Sequence, residues 1–156
     1  MNFKIRTTAF VLLVSLAVVL AGCSKDAGKN ANFKDVKITI FQDPSCGCCG
    51  LYSDYMKRNG FDVEVKLVSS LEGVKNEYSI PKNLLSCHTS LIGDYYVEGH
   101  VPVEAIEKLL KEKPDTKGIS LPGMPSASPG MPGKKTGPFI IYSISKDGSI
   151  AEFTRI

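Results

Sequence analysis

Apolar and polar residues alternate along 36–40, where Val36, Ile38 and Ile40 are separated by Lys37 and Thr39, so a first strand is expected there, closed by Pro44. After a short turn the spacing changes: Leu51, Tyr52, Tyr55 and Met56 recur at helical intervals, and Asn59-Gly60 supplies a stop. Period two returns in FDVEVKLV, with Phe61, Val63, Val65 and Leu67 against charged neighbours. A right-handed crossover lays this second strand parallel to the first. Ser69 and Glu72 have capping-box spacing, which predicts a short helix in SLEGVKNEY, ended by Pro81. HTSLIGDYYVEG reads as two strands about Gly93-Asp94, and VPVEAIEKLLKEKP as a helix with Pro102 near its start and Pro114 as its stop. Residues 115–138 are rich in Gly, Pro and Ser without periodicity, which predicts an irregular loop. The apolar runs on either side of Lys146-Asp147-Gly148 predict a closing hairpin that extends the sheet or covers one edge. The expected fold class is α/β; the order β-α-β-α-β-β-α, with a cysteine turn between the first strand and helix, resembles a thioredoxin-like sheet with flanking helices, to which a C-terminal Gly/Pro/Met loop and a β-hairpin are added.

Ahead of the first strand the pattern is of another kind. Lys4 and Arg6 precede AFVLLVSLAVVLAG, an apolar run too short for a confident membrane span but suited to a cleaved signal segment. Its end, VLAGC, looks like a bacterial lipobox, which makes Cys23 the expected lipid-attachment residue. The expected division is a lipoprotein signal peptide over 1–22, a polar tether over 23–35 and a single domain over 36–156, with no core before Val36. Ser24 after the cysteine fits outer-membrane sorting, so the expected location is the cell envelope, lipid-anchored and facing the periplasm. Cleavage removes two of the 19 basic residues and none of the 16 acidic ones, lowering the net charge from +3 to +1, and that balance gives no electrostatic footprint for nucleic acid.

The turn after the first strand reads DPSCGCCG and holds three cysteines in four positions, Cys46, Cys48 and Cys49. Cys87 is the fourth left after the anchor, in a compartment where thiols oxidise. A bridge within the turn closes almost no loop and so gains little as a structural staple. Chemistry explains the clustering better. Cys49 is expected at the helix entry, where unpaired amides and the helix dipole stabilise a thiolate. A dithiol oxidant needs two sulfurs, and the third favours a metal. Cys87 and His88 precede the third strand, where this fold brings a loop beside the cysteine turn; His88 is a candidate ligand or a loop hydrogen-bond partner. His100, two residues beyond Glu98, either ligates metal or caps the following helix and fixes a loop. Met124 and Met131 occupy a repeated GMP, and their neutral thioethers are soft donors suited to Cu(I) or, equally, packing groups.

DPSCGCCGLYSDYMKRNGF, SCHTSLIGDYYVEGHVPVEAIEKLL and LPGMPSASPGMPG, in that order, resemble the domain-of-unknown-function 411 family of small bacterial metal-binding proteins. That resemblance spans roughly residues 36–155 and implies a thioredoxin-like domain associated with copper handling or resistance. It carries the family cysteines over to Cys46, Cys48, Cys49 and Cys87 and the histidines to His88 and His100. Two departures stand out: Tyr52 where the family more usually has tryptophan, and Pro132 where it has an acidic residue after the last methionine. The expectation is thus a binder, not an enzyme: an envelope lipoprotein holding Cu(I), with zinc the less favoured metal. Copper-transport or copper-resistance proteins of the envelope are the implied partners, together with the membrane through the lipid. Cys46, Cys49 and Cys87 are expected as the primary thiolates, with Cys48 turned away from their shared face. The alternative is a thiol-disulfide oxidoreductase with Cys46 as nucleophile and Cys49 as resolving thiol.

Overall fold

A computed structural model describes residues 33–156; the signal segment, Cys23 and most of the tether lie outside the described residues. Strand β1 (Lys37–Gln42) leads through the cysteine turn into helix α1 (Gly47–Arg58) and on to β2 (Asp62–Leu67). Helix α2 (Glu72–Glu77) and a 3-10 turn (Lys82–Leu84) follow, then β3 (His88–Ile92), β4 (Tyr95–Glu98) and helix α3 (Val103–Glu112). The chain ends with β5 (Thr116–Ser120), β6 (Ile140–Ser145) and β7 (Ile150–Arg155). The strands form one seven-stranded sheet in the order β2-β1-β3-β4-β5-β6-β7, so that β2 and β7 are its edges. Pairing is parallel for β1 with β2 and for β4 with β5, and antiparallel elsewhere. Among the described residues, no helix is long and apolar enough to cross a membrane.

The main core gathers Ile38, Ile40, Tyr52, Met56, Val97, Ile106, Leu109 and Ile141, the buried stripes of α1 and α3 against alternate positions of the strands. A smaller cluster of Ile80, Leu84, Tyr96 and Ile144 is built from the intervening strand positions and the segment after α2. Two tyrosines of α1 join the helices: the Tyr52 hydroxyl donates to the Val101 carbonyl at 3.1 Å, and Val103 N–H, a free amide at the start of α3, donates to the Tyr55 hydroxyl at 2.9 Å.

Four sequence expectations need correction. Within the stretch assigned to irregular loop, Thr116–Ser120 is a strand between β4 and β6. Its apolar pattern is missing because Gly118 sits under the Tyr96 ring: a Cβ there would lie 2.6 Å from ring carbons and 2.2 Å from the Tyr96 carbonyl. Core formation also begins before Val36. Phe33, placed in the tether, is buried and stacks on Phe61 with ring centroids 4.2 Å apart. The Ser69–Glu72 capping box does not form; α2 begins at Glu72, whose amide is accepted by the Ser70 hydroxyl at 3.2 Å. Finally, α1 begins at Gly47, which puts Cys46 rather than Cys49 at the helix cap.

Helix α2 has no buried residue of its own, and one ion pair ties it to the sheet. Lys75 pairs with Glu98, whose side chain is fully buried, and that carboxylate also accepts Ser86 N–H and the Thr89 hydroxyl, both at 2.6 Å. Burial pushes the Glu98 carboxyl up, while Lys75, Thr89 and the Ser86 amide draw it back down. Removing one partner of a buried pair strands the other. Glu98→Ala is therefore expected to lower unfolding stability by on the order of 3 kcal/mol in urea titration. The exposed pair of Lys37 with Glu64 serves as the control, since Glu64→Ala should leave the midpoint almost unmoved. Equal midpoints for the two variants would refute the anchoring role of Glu98.

Candidate metal centre

β1 ends at Gln42, and Asp43 turns the chain: its carboxylate accepts Ser45 N–H at 2.8 Å, and its carbonyl accepts Cys46 N–H at 3.0 Å. Cys46 occupies the cap position of α1 with no side-chain hydrogen bond to the helix, and Cys48 and Cys49 fall in the first turn. Side chains of a first turn lean toward the helix start, so all three sulfurs gather over the same end. Cys87 arrives from the other side of the sheet end, directly before β3, because Gln42 pairs with His88.

Cys46 and Cys49 are joined as a disulfide, while Cys48 and Cys87 are free thiols. The Cys48 sulfur lies 3.5 Å from that of Cys46 and 4.0 Å from that of Cys87, and the Cys49 sulfur lies 3.5 Å from that of Cys87. All four sulfurs fall within 4.8 Å of one another. The expectation that Cys48 turns away is thereby overturned: consecutive first-turn side chains both lean back toward the cap. Burial pushes the Cys87 thiol up to about 12, and the neighbouring Cys48 sulfur acts in the same direction.

A second grouping shares Cys87. His88 Nδ1 lies 3.4 Å and His100 Nε2 2.9 Å from the Cys87 sulfur, and these three donor atoms also fit within 4.8 Å. Both rings are fully buried beside Tyr52, with centroids 4.4 Å and 5.5 Å from its ring. Burial holds His88 well below its usual value, with His100 and Lys75 adding to the effect. His100 is also lowered by burial, against the pull of the Pro129 carbonyl. That carbonyl lies 2.7 Å from His100 Nδ1 and can only accept, so Nδ1 carries the proton and Nε2 presents its lone pair to Cys87. His88 Nε2 is buried with no partner.

His100 thus fixes a loop, one of the two roles its position suggested. Glu98 does not join it at the cluster, being engaged with Lys75, Ser86 and Thr89. The two GMP methionines differ: Met124 is exposed, whereas Met131 is half-buried and its amide donates to the Ser128 carbonyl at 2.8 Å. Tyr52, which the sequence presented only as a core residue, is the floor under both imidazoles. The Pro129 carbonyl left no signal in the sequence, since any residue supplies one.

The loop is seated on α1 through Gly130, whose φ is +83°. A Cβ at this position would stand 2.8 Å from Tyr52 N and 2.9 Å from the Cys48 carbonyl.

The family model described as "Protein of unknown function, DUF411" matches residues 84–131, the segment that holds Cys87, both histidines and both GMP methionines. Two solved structures, forms 1 and 2 of the copper resistance protein CopG, are similar over the whole domain. Each is 33% identical with a TM-score of 0.72 and covers 78% of this chain; 98% of the form 2 chain and 97% of the form 1 chain are matched. Comparison with curated proteins gives no significant match.

Gly130→Ala is expected to cost about 2–3 kcal/mol, combining backbone strain with a clash against α1. Gly123→Ala, where φ is also positive but the space is open, should cost only about 1 kcal/mol. Denaturant unfolding compares them, and equal losses would mean that the loop does not bear on α1.

Proposed function

The chain belongs to the DUF411 family, and from that premise we propose that it is a copper-handling protein of the bacterial envelope whose four clustered cysteines hold Cu(I). One observation carries the proposal: four sulfurs from two separate segments fit within 4.8 Å, close enough for one soft ion to meet several of them. Thiolates select soft metals, and Cu(I) accepts the two- or three-sulfur coordination that such a cluster offers without requiring four donors in a tetrahedron. The four sulfurs of the reduced cluster could also complete a zinc tetrahedron, so zinc is ranked second on the relatives' name and not on donor count. The relatives' name, copper resistance protein, agrees with this choice.

Copper is the cargo here, and this chain's residues determine when it can be taken. In the disulfide form only Cys48 and Cys87 offer thiols; two electrons restore Cys46 and Cys49. His100, already at 2.9 Å from the Cys87 sulfur, can receive the proton that Cys87 gives up on binding a metal. His88 and Tyr52 close the floor against water. As a further part of the proposal, Cys23 carries lipid after removal of residues 1–22, tethering the domain at the periplasmic face of the outer membrane. The thiol-disulfide oxidoreductase alternative draws support from the Cys46–Cys49 bridge. The third and fourth sulfurs weigh toward metal.

Anaerobically reduced protein is expected to hold Cu(I) against a chromophoric chelator, and the oxidised form to bind at least tenfold more weakly. Serine at position 46, 48, 49 or 87 should weaken binding by orders of magnitude, with Cys48 as costly as Cys46, while Met124→Ala stays near the parent. A stoichiometric preference for Zn(II), or insulin reduction at the turnover of a dithiol enzyme, would sink the copper reading. The anchor has its own test. Cys23→Ser should move the domain to the soluble periplasm with its Cu(I) affinity unchanged, and a variant that stays with the membrane refutes the lipid.

A further inference from the structure

The contacts of Cys87 describe more than a ligand. A thiol becomes a nucleophile when a base stands within hydrogen-bond reach and a third group holds that base in the right tautomer. Cys87, His100 and the Pro129 carbonyl meet both conditions: the sulfur is 2.9 Å from Nε2, and Nδ1 is 2.7 Å from the carbonyl oxygen. A disulfide sulfur lies within reach as well, since Cys49 Sγ is 3.5 Å from Cys87 Sγ. Nucleophile, base, orienting group and electrophile are therefore assembled within one chain.

We propose that Cys87, with His100 as its base, attacks Cys49 and moves the disulfide from Cys46–Cys49 to Cys49–Cys87, an intramolecular thiol-disulfide exchange that proceeds independently of copper. The Cys87 proton passes to His100 Nε2 as the S–S bond between Cys49 and Cys87 forms. The bond between Cys46 and Cys49 breaks, its electron pair leaves on Cys46 Sγ, and the proton returns to that sulfur through His100 and solvent. One disulfide and one thiol stand on each side, so no oxidant or reductant is consumed. Cys46 suits the leaving role, because it is the cap residue of α1, and the positive end of a helix stabilises a thiolate. Cys48 is the poorer attacker: its sulfur contacts are Cys46 and Cys87, with no imidazole among them. The exchange replaces the free pair Cys48 and Cys87 by Cys46 and Cys48, moving a thiol from beside the histidines to the mouth of the turn.

The test uses metal-free, air-oxidised full chain carrying Cys23→Ser and Cys48→Ser, which leaves one thiol and one disulfide per molecule. The native protein is alkylated with iodoacetamide, digested without reduction, and mapped by mass spectrometry. Label on Cys46 together with a Cys49–Cys87 peptide is the expected result. His100→Gln in the same background should slow labelling of Cys46 by roughly tenfold or more, as loss of a general base does. Wild-type Cys48 gives a parallel readout that does not depend on the Cys48→Ser variant folding, in which Cys46 and Cys48 are labelled together. Label confined to Cys87 overturns the exchange, and label on Cys49 overturns the choice of attacked sulfur. A Cys46 labelling rate that scales with protein concentration makes the reaction intermolecular and also refutes the proposal, while an unchanged rate in His100→Gln removes His100 as the base.

Discussion

The antiparallel register that sets Gln42 opposite His88 is the constraint on which the rest of this site depends. The cysteine turn leaves from the end of β1, and Cys87 enters at the start of β3, so antiparallel pairing brings them to one end of the sheet. A slip of one residue would turn His88 to the opposite face and carry Cys87 away from the turn. Around this register the other contacts are supports. Ser53 of α1 donates to the Gln42 side chain at 3.0 Å, and Tyr52 and Tyr55 fasten the same helix to the entry of α3. Glu98 holds the Ser86 amide next to Cys87 and Lys75 donates to the Ser86 carbonyl at 3.0 Å, so α2 reaches the cluster through the Lys75–Glu98 pair.

The buried polar groups concentrate near the functional end. Glu98, His88, His100, Thr89 and Ser90 are all buried there, on β3, β4 and the turn beyond. Most are satisfied; His88 Nε2 and Ser90 Oγ are not. An unsatisfied buried donor or acceptor costs about 1–3 kcal/mol, and two neutral imidazoles meeting edge to face at 4.8 Å are a poor substitute for aliphatic packing. The larger aliphatic core beneath α1 and α3 offsets that cost.

Strong periodicity made much of the architecture visible in advance. The alternation in 36–40 and 61–67, the helical spacing of Leu51 to Met56, and the turn at Gly93-Asp94 each correspond to an element. β5 was hidden because Gly118 yields its side-chain space to Tyr96, which erases the alternation from one strand and places the apolar bulk on its neighbour. Phe33 was hidden because a lone aromatic in a polar run has no period, and its partner Phe61 lies far along the chain. At the site, residue type and spacing pointed to the four cysteines and two histidines. Which nitrogen faces which atom depended on a backbone carbonyl that no sequence signal marks. The orientation of Cys48 followed from the helix starting earlier than expected, a matter of helix boundaries, where sequence patterns are least informative.

The sheet is open, and its two unpaired margins differ in how they are guarded. On β7, Glu152 and Arg155 are locked to each other at 2.7 Å. On β2, Asp62, Glu64 and Lys66 alternate with Val63, Val65 and Leu67, and Leu67 is 62% exposed. Charges spaced along an edge make it costly for a second strand to dock, since some would be desolvated or set against like charge. When two copies of the domain meet, this alternation opposes their joining into an intermolecular sheet. The least guarded point is the end of β2 at Leu67, which makes it the place where a single Lys66 replacement by an apolar residue would favour edge-to-edge association of the domain.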